Sequence, residues 1–274
     1  MAQPGSVLAW GASGRRFKSG RPDHSFSIVN VQDNNTGNLG DILKHAALIA
    51  LAHTFNPTDP RPLTYLESHS YLRYSRLANH RWHRHTRKLL RKYPAYRLYV
   101  DQRLRKNHRI RYDCSSELAV SNLPANLPAN LPANLPANLP VSQVVKVVLA
   151  ENHLPTRKRL LRQYRYNRQV KVLSQLKSQL WRFTEAETVL ALYDPFAIEY
   201  RLFHGLSAWL TKRTGILLAF HYQTSIQTCA WPRIAWPQVA HIDSSPYFLV
   251  AYASEDRMPS AQQALRALGW QVTK

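Results

Sequence analysis

Three short groups of residues carry the chemical possibilities of this 274-residue chain. Each closes or follows an apolar run with the length and composition of a buried strand. They are Glu67, Ser68 and His69 after Leu63 to Glu67, Glu151 after Val144 to Ala150, and Asp194-Pro195-Phe196 after Thr188 to Tyr193. In an open parallel sheet, ligands bind beyond the carboxyl ends of the strands, near the point where strand order reverses. A carboxylate closing the second strand can accept from both vicinal hydroxyls of a ribose. An Asp-Pro-aromatic step sets a carboxylate, a fixed backbone carbonyl and a ring side by side. An exocyclic amine on a flipped base needs those groups: acceptors for its two hydrogens and a flat surface against the ring. Taken singly, each group is also an ordinary turn or cap, and Asp-Pro is a common turn dipeptide. The sequence has neither G-x-x-x-x-G-K-[ST] nor G-x-S-x-G, which argues against nucleotide hydrolases and α/β-hydrolases.

The elements that would position these residues follow from periodicity. Asp41 to Phe55 repeats apolar residues at helical spacing, after a turn from Gly37 to Asp41 that offers Asp41 as N-cap. Past the strand Leu63 to Glu67, the order is strand Val144 to Ala150, helix Pro155 to Tyr166, strand Val170 to Leu173 and helix Ser174 to Phe183. Strand Thr188 to Tyr193, helix Ile198 to Thr214, strand Gly215 to His221, further strands within Val239 to Ala253 and helix Pro259 to Leu268 complete it. Strands alternating with helices predict a doubly wound α/β fold, mostly parallel, with helices on both faces. Two final strands with no helix between them permit an antiparallel pair at one edge.

Between the first and second strands the composition changes. Residues Arg73 to Arg111 contain fourteen Lys or Arg and a single acid, Asp101. Such a run repels itself and calls for an anionic partner, although a merely solvated charged face is the bland alternative. His80, His83 and His85 lie in this run without a cysteine or carboxylate beside them, so no metal site is expected. Residues Asn122 to Pro140 repeat NLPA, with proline at every fourth position, and read as an extended linker. The whole chain carries 37 Lys and Arg against 16 Asp and Glu, a formal +21. That balance attracts polyanions, nucleic acid foremost, because each neutralised phosphate releases counterions. No apolar run reaches the roughly 18 residues expected of a membrane span. Cys114 and Cys229 form no paired motif, and residues 1–26 read as a flexible basic tail rather than a secretion signal, so a cytoplasmic protein is expected.

Several segments, in order, resemble a known family. Thr36-Gly37-Asn38-Leu39-Gly40-Asp41-Ile42-Leu43-Lys44-His45 resembles the A-G-N-x-x-D-x-L-K-H signature of the RlmJ family. That family comprises S-adenosylmethionine-dependent adenine-N(6) methyltransferases of large-subunit ribosomal RNA. Tyr65-Leu66-Glu67-Ser68-His69 is similar to its Y-L-D-T-H, Tyr112 to Ser116 to its Y-P-G-S-P, Leu149 to His153 to its L-T-E-L-H, and Ala191 to Glu199 to its L-I-D-P-P-Y-E.

The resemblance implies a class I methyltransferase-like (Rossmann-like) fold. It places the α/β domain in residues 27–72 and 141–274, with a basic helical insertion over residues 73–121. It further implies cofactor contacts from His45, His69, Ser115, Glu151 and Asp194, and catalytic roles for Asp194, Pro195 and Phe196. Lys44, Arg84, Arg87, Lys88, Arg91 and Lys92 would meet the RNA. Two departures stand out: His69-Ser70-Tyr71-Leu72-Arg73 lacks the glycines of the family's H-A-G-A-G, and Asp194-Pro195-Phe196-Ala197 replaces D-P-P-Y. Side chains in a loop that is normally glycine are expected to crowd the cofactor. The second expectation is therefore a catalytically inactive, RNA-binding descendant acting in ribosome maturation. A general polyanion or membrane-surface binder is a third.

Overall fold

A computed structural model describes residues 37–55, 59, 61–71, 74–76, 79–105, 111–123, 146–176, 180, 188–195, 199–222, 234–244 and 247–274. Side chains are not described at 74–83, 102–105 and 111–112. The tail at 1–26, the NLPA repeat past Leu123, Phe196, Cys229 and the side chains of His80 and His83 thus lie outside the described residues.

Among the described residues, eight strands form one sheet in the order β10-β8-β9-β7-β6-β1-β4-β5. The middle of its parallel part is β1 (Leu63–Glu67), flanked by β4 (Lys146–Ala150) and β6 (Thr188–Tyr193), both parallel to it. Outward from these, β5 (Val170–Leu173) and β7 (Thr214–Tyr222) continue the parallel run. Beyond β7 the direction changes: β9 (Tyr247–Ala253) is antiparallel to β7, and β8 (Gln238–Ser244) is antiparallel to β9. The short β10 (Gln271–Val272) closes that edge. The fold is the expected doubly wound, mostly parallel α/β sheet, with its antiparallel strands confined to one side. The chain steps from β1 outward to β5, then returns to β6 on the other side of β1, so the switch in strand order falls between β1 and β6.

Apolar residues on both faces of the sheet explain why helices cover both. Along β6, Leu190 and Leu192 face one core, while Val189, Ala191 and Tyr193 face the other. The first core is filled by α1 (Leu39–Ala52), α4 (Ser115–Asn122), Leu160 of α5 (Leu154–Gln163) and Leu265 of α7 (Met258–Ala267). The second is filled by α6 (Tyr200–Leu210), through Phe203 and Leu206. Of the helix expected from Ser174 to Phe183, residues 174–176 are non-helical, and most of the remainder lies outside the described residues.

The basic insertion leaves and re-enters the domain through a two-stranded ribbon, β2 (Tyr74–Arg76) and β3 (Arg111–Asp113), with Ser75 opposite Tyr112. Between them lie α2 (Asn79–Lys92) and α3 (Tyr96–Arg105), both packed on α1. Tyr96 and Tyr99 of α3 are buried in the first core, which anchors the insertion despite its charge. Helix α4 follows the ribbon directly and is itself core, with Leu118 and Ala119 buried.

The start of α1 is fixed by its own sequence. The Asn38 side chain accepts the Asp41 N–H at 2.9 Å, so Asn38, not Asp41, is the cap. Asp41 instead accepts the Gly37 N–H at 2.9 Å. Gly40 lies against the Tyr247 ring: an added Cβ would sit 2.6 Å from it. That contact brings the first turn of α1 close to β9.

Candidate active site

Register explains why distant acids meet. Glu67 pairs with Leu149 of β4 and with Leu192 of β6. Two residues beyond each partner come Glu151 and Asp194, so the three carboxylates emerge at the same edge of three neighbouring strands. Adjacent strands are spaced about 4.8 Å apart, which keeps this row compact. The edge opens into a cleft of about 970 Å³. Lining residues include Lys44, His45, His69, Ser115, Glu151, Asp194 and Pro195, so one cleft gathers every described residue expected to serve cofactor or catalysis.

Asp194 is bound on Oδ2 by the Lys44 ammonium at 2.5 Å. The same ammonium lies 3.2 Å from Asp41 and 5.1 Å from the centre of the Phe220 ring. Burial alone would favour the neutral amine, but Asp194 and Asp41 outweigh it, and the Lys44 pKa is raised above its ordinary value. Lys44 is therefore a buried cation with two carboxylate neighbours. It is set apart from Arg84, Arg87, Lys88, Arg91 and Lys92, with which the sequence grouped it.

Glu67 is the residue whose weight the sequence did not show. It is 1% exposed, accepting from the Tyr65 hydroxyl at 2.9 Å and from the Ser115 hydroxyl at 2.6 Å. Burial pushes its pKa up to about 7, with the Ser115 and Tyr65 bonds opposing the shift and the Asp194 charge adding to it. Tyr65 and Glu67 stand two apart on one strand, hence on one face, and that spacing is the signal that could have found the pair. Ser115 opens α4, and its hydroxyl proton is directed at Glu67.

His69 is held on both ring nitrogens, by the Ser68 hydroxyl at 2.7 Å and by Glu199 at 3.1 Å. The Tyr193 ring meets it edge-on at 5.8 Å. Glu199 is in turn placed by Tyr193, whose hydroxyl accepts the Glu199 N–H at 2.9 Å. Glu151 accepts the His153 N–H at 2.6 Å on Oε1; burial raises its pKa, and the His153 contacts oppose the rise. His45, 2% exposed, completes the α1 side of the cleft.

Of the glycine-poor loop over residues 69–73, residues 69–71 are described. The Ser68 N–H donates to Leu192 at 3.0 Å and the Ser70 N–H to Ala150 at 2.8 Å, which ties the loop down across the ends of β6 and β4. Ser70 is fully buried and is absent from the cleft wall, to which the loop contributes Ser68, His69 and Tyr71. The space left lies within the roughly 300–1,000 Å³ typical of small-molecule sites.

On the insertion, Arg84, Arg87, Lys88, Arg91 and Lys92 are all exposed. Their spacing of three and four residues sets them on one face of α2, while Thr86 is buried and Leu89 and Leu90 turn toward the core. None of the five lines the cleft. Among the described residues, no helix is long and apolar enough to cross a membrane.

No family model matches the chain, and no curated protein does. Among solved structures it is similar to a Legionella pneumophila protein described under the family name DUF519. That match has 18% identity and a TM-score of 0.60, covering 84% of this chain and 91% of the other. A provisionally named methyltransferase from Pseudomonas syringae matches over 40% of this chain at 11% identity and a TM-score of 0.31, too slight a likeness to build on. The Legionella match is a likeness of fold over nearly the whole of both chains.

Proposed function

We propose that the chain is an S-adenosylmethionine-dependent RNA adenine-N(6) methyltransferase-like protein of the RlmJ type, acting in the cytoplasm on ribosomal RNA. The observation that carries this reading is the Lys44–Asp194 pair at the head of the row formed by Glu67, Glu151 and Asp194. Lys44 donates to Oδ2 of Asp194, which leaves Oδ1 to receive one hydrogen of an exocyclic amine. The backbone carbonyl of Pro195, a residue of the cleft wall, is the second acceptor. With both hydrogens held, the nitrogen lone pair is aimed rather than free to rotate, and the carboxylate can take the surplus proton. Phe196, the expected stacking ring, lies outside the described residues.

The chemistry of the wall suits the cofactor. Glu151, past the end of the second strand, is placed to accept from ribose hydroxyls, and Ser115, His45 and His69 stand around the same space. When bound, S-adenosylmethionine supplies a methyl group on a sulfonium centre. Glu151 and Asp194 on the cleft wall face that positive charge, while Glu67, with a pKa near 7, can stay protonated. The exposed cationic face of α2 is suited to RNA phosphates.

Calorimetric titration of S-adenosylmethionine into the purified full chain tests the reading, beside Asp194→Ala. Binding that weakens in the variant supports it, and warrants a search for methylated adenine in ribosomal RNA. Absence of binding with RNA affinity intact would leave the inactive, RNA-binding descendant, which the Tyr71 side chain on the cleft wall and the His69–Glu199 contact favour.

A further inference from the structure

A second basic surface lies apart from α2, on α5 and the turn that follows it. Residues 152–184 contain nine Lys or Arg and no acid. Helix α5 directs Leu160 and Thr156 inward, and Tyr164 just past its end is also buried, so its apolar face is used by the protein's own core. Lys158, Arg159, Arg162, Arg165 and Arg168 are exposed. Lys158 and Arg162, four residues apart, share one side of α5, and Arg165 follows in the turn.

Tyr166 lies among these cations with 83% of its surface in solvent. The Arg165 guanidinium stacks on it at 4.4 Å from the ring centre, covering one face and leaving the other open. An exposed ring held by a cation costs little conformational entropy when a flat partner arrives. The N-terminal end of α5 borders the cleft, since His153 and Thr156 line it.

We propose that α5 and the turn through Arg168 form a track for unpaired nucleic acid leading to the cleft, with a base stacked on Tyr166 and phosphates along Lys158, Arg162 and Arg165. The inference rests on the proposed RNA-directed function but concerns a surface of its own. An open aromatic face flanked by cations recognises single strands, since only an unpaired base offers its ring to stack. A duplex offers phosphates alone, and would be held by charge without using Tyr166. An anionic membrane is the less fitting partner, because the apolar side of α5 is turned inward, with Leu154 and Leu161 half exposed beside the cations.

Fluorescence anisotropy on the full chain, with no S-adenosylmethionine present, tests the track with a labelled unstructured RNA of about 12 nucleotides and a duplex of equal length. Tyr166→Ala is expected to weaken single-strand binding about 5- to 100-fold and leave duplex binding within a factor of two, with Tyr166→Phe close to wild type. Lys158→Glu with Arg162→Glu should flatten the single-strand salt dependence by about 1.4 in slope. Equal loss on both RNAs, or no loss with Tyr166→Ala, overturns the track. Binding to anionic lipid vesicles that depends on the same residues, without single-strand preference, assigns the surface to a membrane and likewise overturns it. Because no cofactor takes part, the Tyr166 result stands or falls independently of whether the cleft binds S-adenosylmethionine.

Discussion

Lys44 and Asp194 stand 150 residues apart in the chain and 2.5 Å apart in space, joining the first helix to the end of β6. The lysine is 8% exposed and the aspartate 17%. Removing one partner of such a pair leaves the other charge to be desolvated alone, and the more buried member suffers more. Asp194→Asn should cost on the order of 2–3 kcal/mol, with Asp41 retaining part of the ammonium's stabilisation. Lys44→Met should cost less, because water can reach Asp194 from the cleft. Urea denaturation of both single variants and the double variant would show a coupling of about 1 kcal/mol or more; strict additivity would mean that the contact contributes nothing.

Glu67 sets a pH dependence of the opposite sense to most carboxylates. Its pKa rises on folding from the ordinary 4.5 to about 7, so between those values the folded chain binds the extra proton. Stability from this group is therefore fully present below about pH 4.5 and is lost as pH rises toward 7. The loss is on the order of 3 kcal/mol. Glu67→Gln keeps bonding capacity toward Tyr65 and Ser115 without the charge. Compared with wild type, it should gain relative stability across that window in denaturation curves taken at several pH values. A wild-type-minus-variant difference that stays flat with pH would show that Glu67 is not desolvated as described.

Charge on α2 should be separable from stability. Reversing Arg84, Arg87 and Arg91 to Glu touches exposed side chains, so the unfolding free energy should shift by no more than about 0.5 kcal/mol per site. Binding to structured RNA should nevertheless fall, and its slope against log salt should decrease by about 0.9 for each duplex phosphate contact removed. A slope unchanged by the triple reversal would place the RNA elsewhere on the molecule.

Gly40 is required for space rather than for backbone freedom. Its substitution by Ala drives a methyl group into the Tyr247 ring, at 2.6 Å, with Phe220 stacked behind that ring at 5.9 Å. Gly40→Ala should destabilise the chain by about 1–3 kcal/mol, and Tyr247→Leu in the same chain should recover part of it. Failure of the second change to help would locate the strain in α1 itself.

The sheet was legible because nearly every strand carries its own evidence. Residues 188–193 are apolar on both faces, and a run of that kind belongs in the middle of a parallel sheet. The antiparallel placement of β8 and β9 was readable only as a permission, from the missing helix between them. The cleft was half legible. Glu151 and Asp194 announced themselves as strand-terminal acids, but the partner of Lys44 did not, because helical spacing says which face a residue takes and nothing about what waits across 150 residues. Glu67 was visible as an acid and invisible as a buried one, since its burial depends on α4 arriving with Ser115. In the loop after β1 the side chains were visible but not their directions: Ser70 turns into the protein, while His69 and Tyr71 line the cleft.

The position of β9 bears on how the chain can be made. β9 lies between β7 and β8, yet it is synthesised after both. While a ribosome is still delivering residues 223–246, the free side of β7 has no native neighbour, and β8 has nothing to dock on. Nine residues of strand, five of them buried once folded, then present an open edge to any other nascent chain. Only residues 245–246 separate β8 from β9, so these two strands are suited to close as a hairpin and insert together. Vectorial synthesis thus leaves the sheet vulnerable until its last quarter arrives, and translation that pauses within β8 would be the costliest place to stop.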